Sequence, residues 1–174
     1  MLQLIRAFVD IMFHRRGPEH LPSSRFLVWL LLAVAVSVDI GILLANDGNV
    51  RAAGVALLIQ FLDVWFVWAL LRTFNRQRRF PQTMCALLGT ETILNVAGAP
   101  LVPLLATSAD AAAGQPEITL PLMLTALLGI WSIDIAAFVF ARALERPYVL
   151  CVAIMLGYVL LIVSLQTSLL PMVS

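Results

Sequence analysis

Lysine is absent from this 174-residue sequence; all 11 basic residues are arginine. We read this first as an effect of genomic base composition. Charge of either sign is scarce, at 12% of residues. A soluble domain of this length needs a polar shell and has about a quarter of its residues charged. A soluble globular fold is therefore excluded as the first reading. With a net charge of +1, no nucleic-acid partner is expected. There are only two cysteines, Cys85 and Cys151, far apart and in no CxxC pair, which argues against thiol metal or redox chemistry. His14 and His20 fall in a polar stretch without a second ligand at metal spacing and are expected to be solvated. No phosphate-binding glycine loop, nucleophile elbow, HExxH or Ser/His/Asp set occurs. No catalytic residue, metal or cofactor is therefore assigned.

What the chain has in excess is apolar length: 61% of residues are hydrophobic and mean hydropathy is +0.98. Five long apolar segments lie at about 26–44, 52–71, 82–105, 119–141 and 148–170. A bilayer core takes about 20 helical residues, and hydrocarbon leaves no solvent for open backbone groups, so helix is the economical state. The expected fold is an all-α integral membrane bundle, one membrane domain over 1–174. Pro100 and Pro103 should kink or stop the third span near its far end. Before the first span, MLQLIRAFVDIMFH repeats Gln3, Arg6, Asp10 and His14 every three to four residues. That period indicates an amphipathic helix lying in the membrane interface. Arg6 and Asp10 interrupt the apolar run and no small-residue cleavage site follows, so it does not resemble a signal peptide.

The arginines orient the spans. Arg6, Arg15, Arg16 and Arg25 precede the first span. Arg72, Arg76, Arg78 and Arg79 lie in the second connection, and Arg142 and Arg146 in the fourth. Five spans place these ten on one side. The positive-inside rule then puts the N-terminus in the cytoplasm and the C-terminus across the membrane, in the periplasm of a bacterial inner membrane. Arg72, Arg76, Arg78 and Arg79, with Phe74 and Phe80, are also candidate contacts for anionic lipid headgroups. The tryptophans, Trp29, Trp65, Trp68 and Trp131, read as interface anchors or packing residues.

The unusual residues are acids. Glu91 is the only charged residue between Arg79 and Asp110. Asp39, Asp63 and Asp134 likewise sit inside spans, and no span has an arginine in its middle. At 1.5 Å per residue, Asp134, Asp63 and Glu91 lie about 10–15 Å from the basic end, and Asp39 about 20 Å. A carboxyl at the bilayer centre costs about 2.5–3.5 kcal/mol on insertion scales, so these groups should face the bundle interior, water or a partner. Glu91, Asn95 and Gly98 follow i, i+4, i+7, and Gln60 and Asp63 are an i, i+3 pair. Three readings remain open. In the first, the acids are protonated interhelical contacts to Asn95, Gln60 or backbone carbonyls. In the second, Asp63, Glu91 and Asp134 form a proton or cation site. In the third, a partner's basic residue pairs with them.

The stretch RRFPQTMCALLGTETILNVAGAPLVPLL resembles bacterial members of the Yip-domain family. A basic loop ends in an aromatic, a Gln/Thr pair enters a small-residue span, and prolines close its far end. The acidic-tyrosine-glycine-proline signature of eukaryotic members is replaced by GPEHLPSS. The resemblance implies five spans with a cytoplasmic N-terminus and, from the eukaryotic members, a trafficking or scaffold role; no catalytic residue carries over. The expected function is an accessory or scaffold protein that binds other membrane proteins or itself within the lipid bilayer. The alternative is a small proton- or cation-coupled transporter using the intramembrane carboxylates.

Overall fold

The computed structural model describes residues 2–46, 50–111 and 119–169. Among these, seven α-helices and two short 3-10 turns form, and no strand does. The helices are α1 (Leu2–Met12), α2 (Arg25–Ala45), α3 (Val50–Thr73), α4 (Phe80–Gly98), α5 (Leu101–Ala111), α6 (Leu120–Leu144) and α7 (Tyr148–Leu169). α2, α6, and most of α3 and α7 are each long and apolar enough to cross a membrane. Few residues of each are fully buried by protein, as expected of helices that meet lipid. The last residue of the expected fifth segment, 170, lies outside the described residues.

Local chemistry sets the helix ends. The Ser24 hydroxyl accepts from the Leu27 N–H at 3.4 Å and caps α2. The expected third segment divides at Ala99–Pro100: α4 stops at Gly98, and α5 starts at Leu101 and packs on α6. Pro100 has no N–H to continue the helical ladder and its ring opposes the preceding turn. α5 then runs to Ala111, past the expected end at 105.

α1, α3 and α6 end alike. His14, Asn75 and Glu145 turn left-handed, at φ 56°, 56° and 54°. The next N–H in each case reaches back five residues: Arg15 to Asp10 at 2.8 Å, Arg76 to Leu71 at 2.7 Å, Arg146 to Ala141 at 3.2 Å. These are the bonds that satisfy a helix's last carbonyls, and each is followed by an arginine beside the negative end of the helix dipole.

These three ends meet at one end of the bundle, with the starts of α2, α4 and α7. Arg79, just before α4, donates from Nη1 to the carbonyl oxygens of Arg142 and Ala143 at 3.0 and 3.2 Å. Arg76 and Arg79 both bind Glu145. The Arg146 guanidinium lies over the Phe74 ring at 5.3 Å. Gln82 Nε2 donates to the Leu21 carbonyl at 3.1 Å and ties the chain ahead of α2 to α4. Nine of the eleven arginines thus lie at or beside these helix ends; Arg6 lies within α1, and Arg51 is in the first turn of α3, at its opposite end.

α4 is the centre of the bundle. It touches α1, α2, α3 and α6, and Thr83, Met84, Cys85, Ala86, Leu88, Gly89, Thr90 and Leu94 are all buried. One core joins Leu71, Met84, Leu88, Phe140 and Cys151, and a second joins Phe8, Ile11, Cys85, Ile135 and Val139. The second core revises the reading of α1. Its apolar face was expected to lie in the headgroup boundary, but Phe8, Ile11 and Met12 are buried against protein, while Ile5, Val9 and Phe13 stay exposed. Gly89 allows this docking, since a β-carbon there would sit 2.5 Å from the Phe8 ring.

Candidate intramembrane carboxylate site

A cavity of ≈ 290 Å³ opens between α3, α4, α6 and α7. Asp63 enters it from α3, Glu91 and Thr90 from α4, Ser132 from α6 and Tyr158 from α7; the rest of the lining is apolar. The Tyr158 hydroxyl donates to Asp63 Oδ1 at 2.6 Å. The Tyr158 ring is held by stacking on Phe66, with centroids 3.9 Å apart and planes 12° from parallel. Phe66 in turn meets the Phe140 ring edge-on at 6.0 Å. Asp63 is therefore placed by a tyrosine that two aromatic rings immobilise.

Glu91 is different. Among the described residues its carboxyl has neither a side-chain hydrogen bond nor an ion pair. The hydroxyls of Thr90 and Ser132 donate to their own helices, to Ala86 O at 2.9 Å and Gly129 O at 2.8 Å. The other carboxyl lining the cavity is that of Asp63, so the lining offers Glu91 no basic partner. A carboxyl walled by hydrocarbon either holds a proton or faces a cation, because an unpaired carboxylate is costly there.

The structure sorts the other sequence-assigned residues. Asp39, on α2, accepts from Asn95 Nδ2 on α4 at 2.9 Å, so this pair is an interhelical contact beside the cavity. Gln60, one turn before Asp63, is 7% exposed and its Nε2 has no partner among the described residues.

Asp134 does not join the site, although its depth is similar. Its neighbours Ser132, Ile133, Ile135 and Ala136 line the cavity, while Asp134 turns to the far side of α6. There the Tyr148 hydroxyl donates to Asp134, and His14 Nε2 lies 3.4 Å from it. His14 is thus not simply solvated: it bridges α1 to α6 and packs edge-on against Phe138 at 4.3 Å. No group of three His, Cys, Asp or Glu that could hold a metal ion occurs among the described residues. Cys85 and Cys151 are free and buried.

The four arginines proposed for lipid also separate. Arg76 and Arg79 are held by Glu145, and Arg72 lies over Trp68 at 4.9 Å. Arg78 lines a groove between α2, α3 and α4 together with Arg25.

Sequence reasoning missed Tyr158, Phe66 and Tyr148. The chain has only two tyrosines, and one sits at mid-helix, away from the interfacial belt where the residue is usual. That was the available signal.

No family model, curated protein or solved structure matches this chain.

Proposed function

We propose that this chain is a small proton- or cation-coupled carrier of a bacterial inner membrane, with Asp63 and Glu91 as its binding carboxylates. The observation that carries this reading is their convergence on one cavity of ≈ 290 Å³ whose other walls are almost entirely apolar. Pockets for small ligands begin at about this size. Two acids with a tyrosine hydroxyl suit a proton, or a cationic group on an apolar body, better than a hydrated divalent ion that wants six or more oxygens. Tyr158 orients Asp63, and Glu91 is the group free to exchange its proton for a cation. α4 serves as a fifth span, which keeps the arginine-rich end in the cytoplasm, as in the Yip-domain proteins its sequence resembles. α1 docks on the bundle from the same side.

The test is flux in proteoliposomes under an imposed pH gradient. Glu91→Gln and Asp63→Asn should abolish proton-linked flux with the fold retained, whereas Asp134→Asn should leave it. Absence of flux at every pH, or equal flux in wild type and Glu91→Gln, rejects the carrier.

A second reading, an accessory or scaffold subunit, is favoured by one feature of α3. Phe61, Trp65 and Trp68 form an i, i+4, i+7 stripe and are 66%, 56% and 41% exposed. Trp65 lies about 12 Å inside the end of α3, deeper than an interfacial anchor needs to be. Such a face suits another membrane helix, from a second copy or a partner. Stoichiometric co-purification from native membranes in mild detergent supports this reading, and recovery as a lone monomer opposes it.

A further inference from the structure

The groove between α2, α3 and the start of α4 has a volume of ≈ 360 Å³. Its walls are apolar and aromatic, with Trp29 and Leu32 on α2, Val64 and Trp68 on α3, and Met84 and Leu88 on α4. At the mouth stand Arg25 and Arg78, and none of its lining residues is acidic. Leu32 lies two turns beyond Arg25, so the apolar part extends about 10 Å inward from the charge.

The arginines of this end are not equivalent. Arg76 and Arg79 are paired with Glu145, and Arg16 with Asp10 at 3.3 Å. Arg15, Arg72, Arg142 and Arg146 each cover an aromatic ring. Among the described residues, Arg25 and Arg78 are the arginines of this end with neither an ion-pair partner nor an aromatic ring beneath them. These two guanidinium groups flank the mouth of one apolar groove. Arg72, over the Trp68 wall at 4.9 Å, adds positive charge nearby.

We propose that this groove is a site for one anionic phospholipid. Its phosphate sits between Arg25 and Arg78, and an acyl chain lies along Trp29, Leu32 and Val64. Guanidinium groups bind phosphate oxygens through paired N–H donors, and the hydrocarbon walls extend from that point toward the bilayer centre. This site is separate from the Asp63–Glu91 cavity, and binding to it can be read without any transport.

Native mass spectrometry of the full-length protein in mild detergent tests it, with phosphatidylglycerol, phosphatidylcholine and inorganic phosphate as probes. Wild type should retain one phosphatidylglycerol in preference to phosphatidylcholine. The double variant Arg25→Gln/Arg78→Gln should lose about thirtyfold of that preference, each arginine contributing about fivefold. Arg146→Gln should keep it. Val64→Trp leaves both arginines and fills the chain slot, so it should also release the lipid; a melting curve checks that each variant is folded. Equal retention of the two lipids overturns the proposal, as does wild-type preference in the double variant or in folded Val64→Trp. Displacement of the lipid by millimolar inorganic phosphate overturns it too, since that marks a headgroup-only anion site.

Discussion

α4 and α7 are both apolar helices of similar length, and they solve different problems. α7 meets α6 along one side and α3 at a few points; Cys151 is buried, while Leu156, Leu160, Leu161 and Val163 are exposed. α4 is enclosed by four other helices and carries Thr83, Thr90, Thr92, Glu91 and Asn95. α7 stands among the helices apolar enough to cross a membrane by composition, and α4 does not. A helix surrounded by protein needs no lipid-facing surface, so it can carry hydroxyls, amides and a carboxyl provided its neighbours receive them. The most membrane-like sequence is thus at the edge, and the chemistry is on the least apolar long helix.

Truncation should give the widest separation between the two helices. Leu88 on α4 is 0% exposed and Leu160 on α7 is 70% exposed. Leu88→Ala should cost about 2–5 kcal/mol, in the range of buried leucine truncations. Leu160→Ala should cost less than about 1 kcal/mol, since lipid fills the space. Equal losses in a mixed-micelle unfolding titration would end the distinction between an enclosed and a peripheral helix.

Glycine substitution sharpens it next. Gly89→Ala places a methyl 2.5 Å from the Phe8 ring, whereas a β-carbon at Gly157 meets nothing within 4 Å. The first should destabilise by about 1–3 kcal/mol through overpacking and free α1 to proteolysis. The second should be neutral or slightly stabilising because alanine is the better helix former. Protection of α1 unchanged by Gly89→Ala would contradict its docking on α4.

Tyr158 is where α7 behaves like α4. Tyr158→Phe removes the donor to Asp63 and should cost about 0.6–1.7 kcal/mol, the span measured for interhelical hydrogen bonds in membranes. Tyr148→Phe, at the half-exposed Asp134, should cost less because His14 Nε2, 3.4 Å away, remains beside the carboxyl. Reversal of this order by thermal unfolding would move the critical acid from the cavity to the periphery.

The smallest effect is expected at Glu145. Glu145→Gln removes the anion between Arg76 and Arg79, a half-exposed cluster in which a single pair is worth about 0–1 kcal/mol. The loss should shrink further in high salt. A salt-independent loss of several kcal/mol would show the basic end to be as tightly built as the α4 core.

The ends of α2, α3, α6 and α7 were readable to within a few residues because length and hydropathy belong to each segment by itself. Pro100 marked the division of the third segment for an equally local reason. The grouping of the acids was not readable. Depth placed Asp134 with Asp63 and Glu91, but depth fixes only the position along a helix. Successive helix residues are separated by about 100° around the axis, so Ser132 and Ala136 can face the cavity while Asp134 faces away. Which face of α6 is inward depends on α4 and α7 together. The interfacial reading of α1 failed to anticipate its docking for a related reason: an amphipathic period identifies an apolar stripe but not the surface that covers it. Tyr158 was overlooked because a tyrosine acquires its role from the acid opposite, 95 residues away.

The sequence alone determined the quantities that accumulate along a helix: the four helices apolar enough to cross a membrane, their approximate ends, and the end of the bundle at which most arginines collect. Tertiary structure alone decided the rotations about the helix axes. Those brought Asp63, Glu91 and Tyr158 to one cavity, sent Asp134 to another face, and set Arg25 and Arg78 along one groove. Translation along an axis follows from the solvent each residue meets, whereas rotation is selected only when several helices pack against one another.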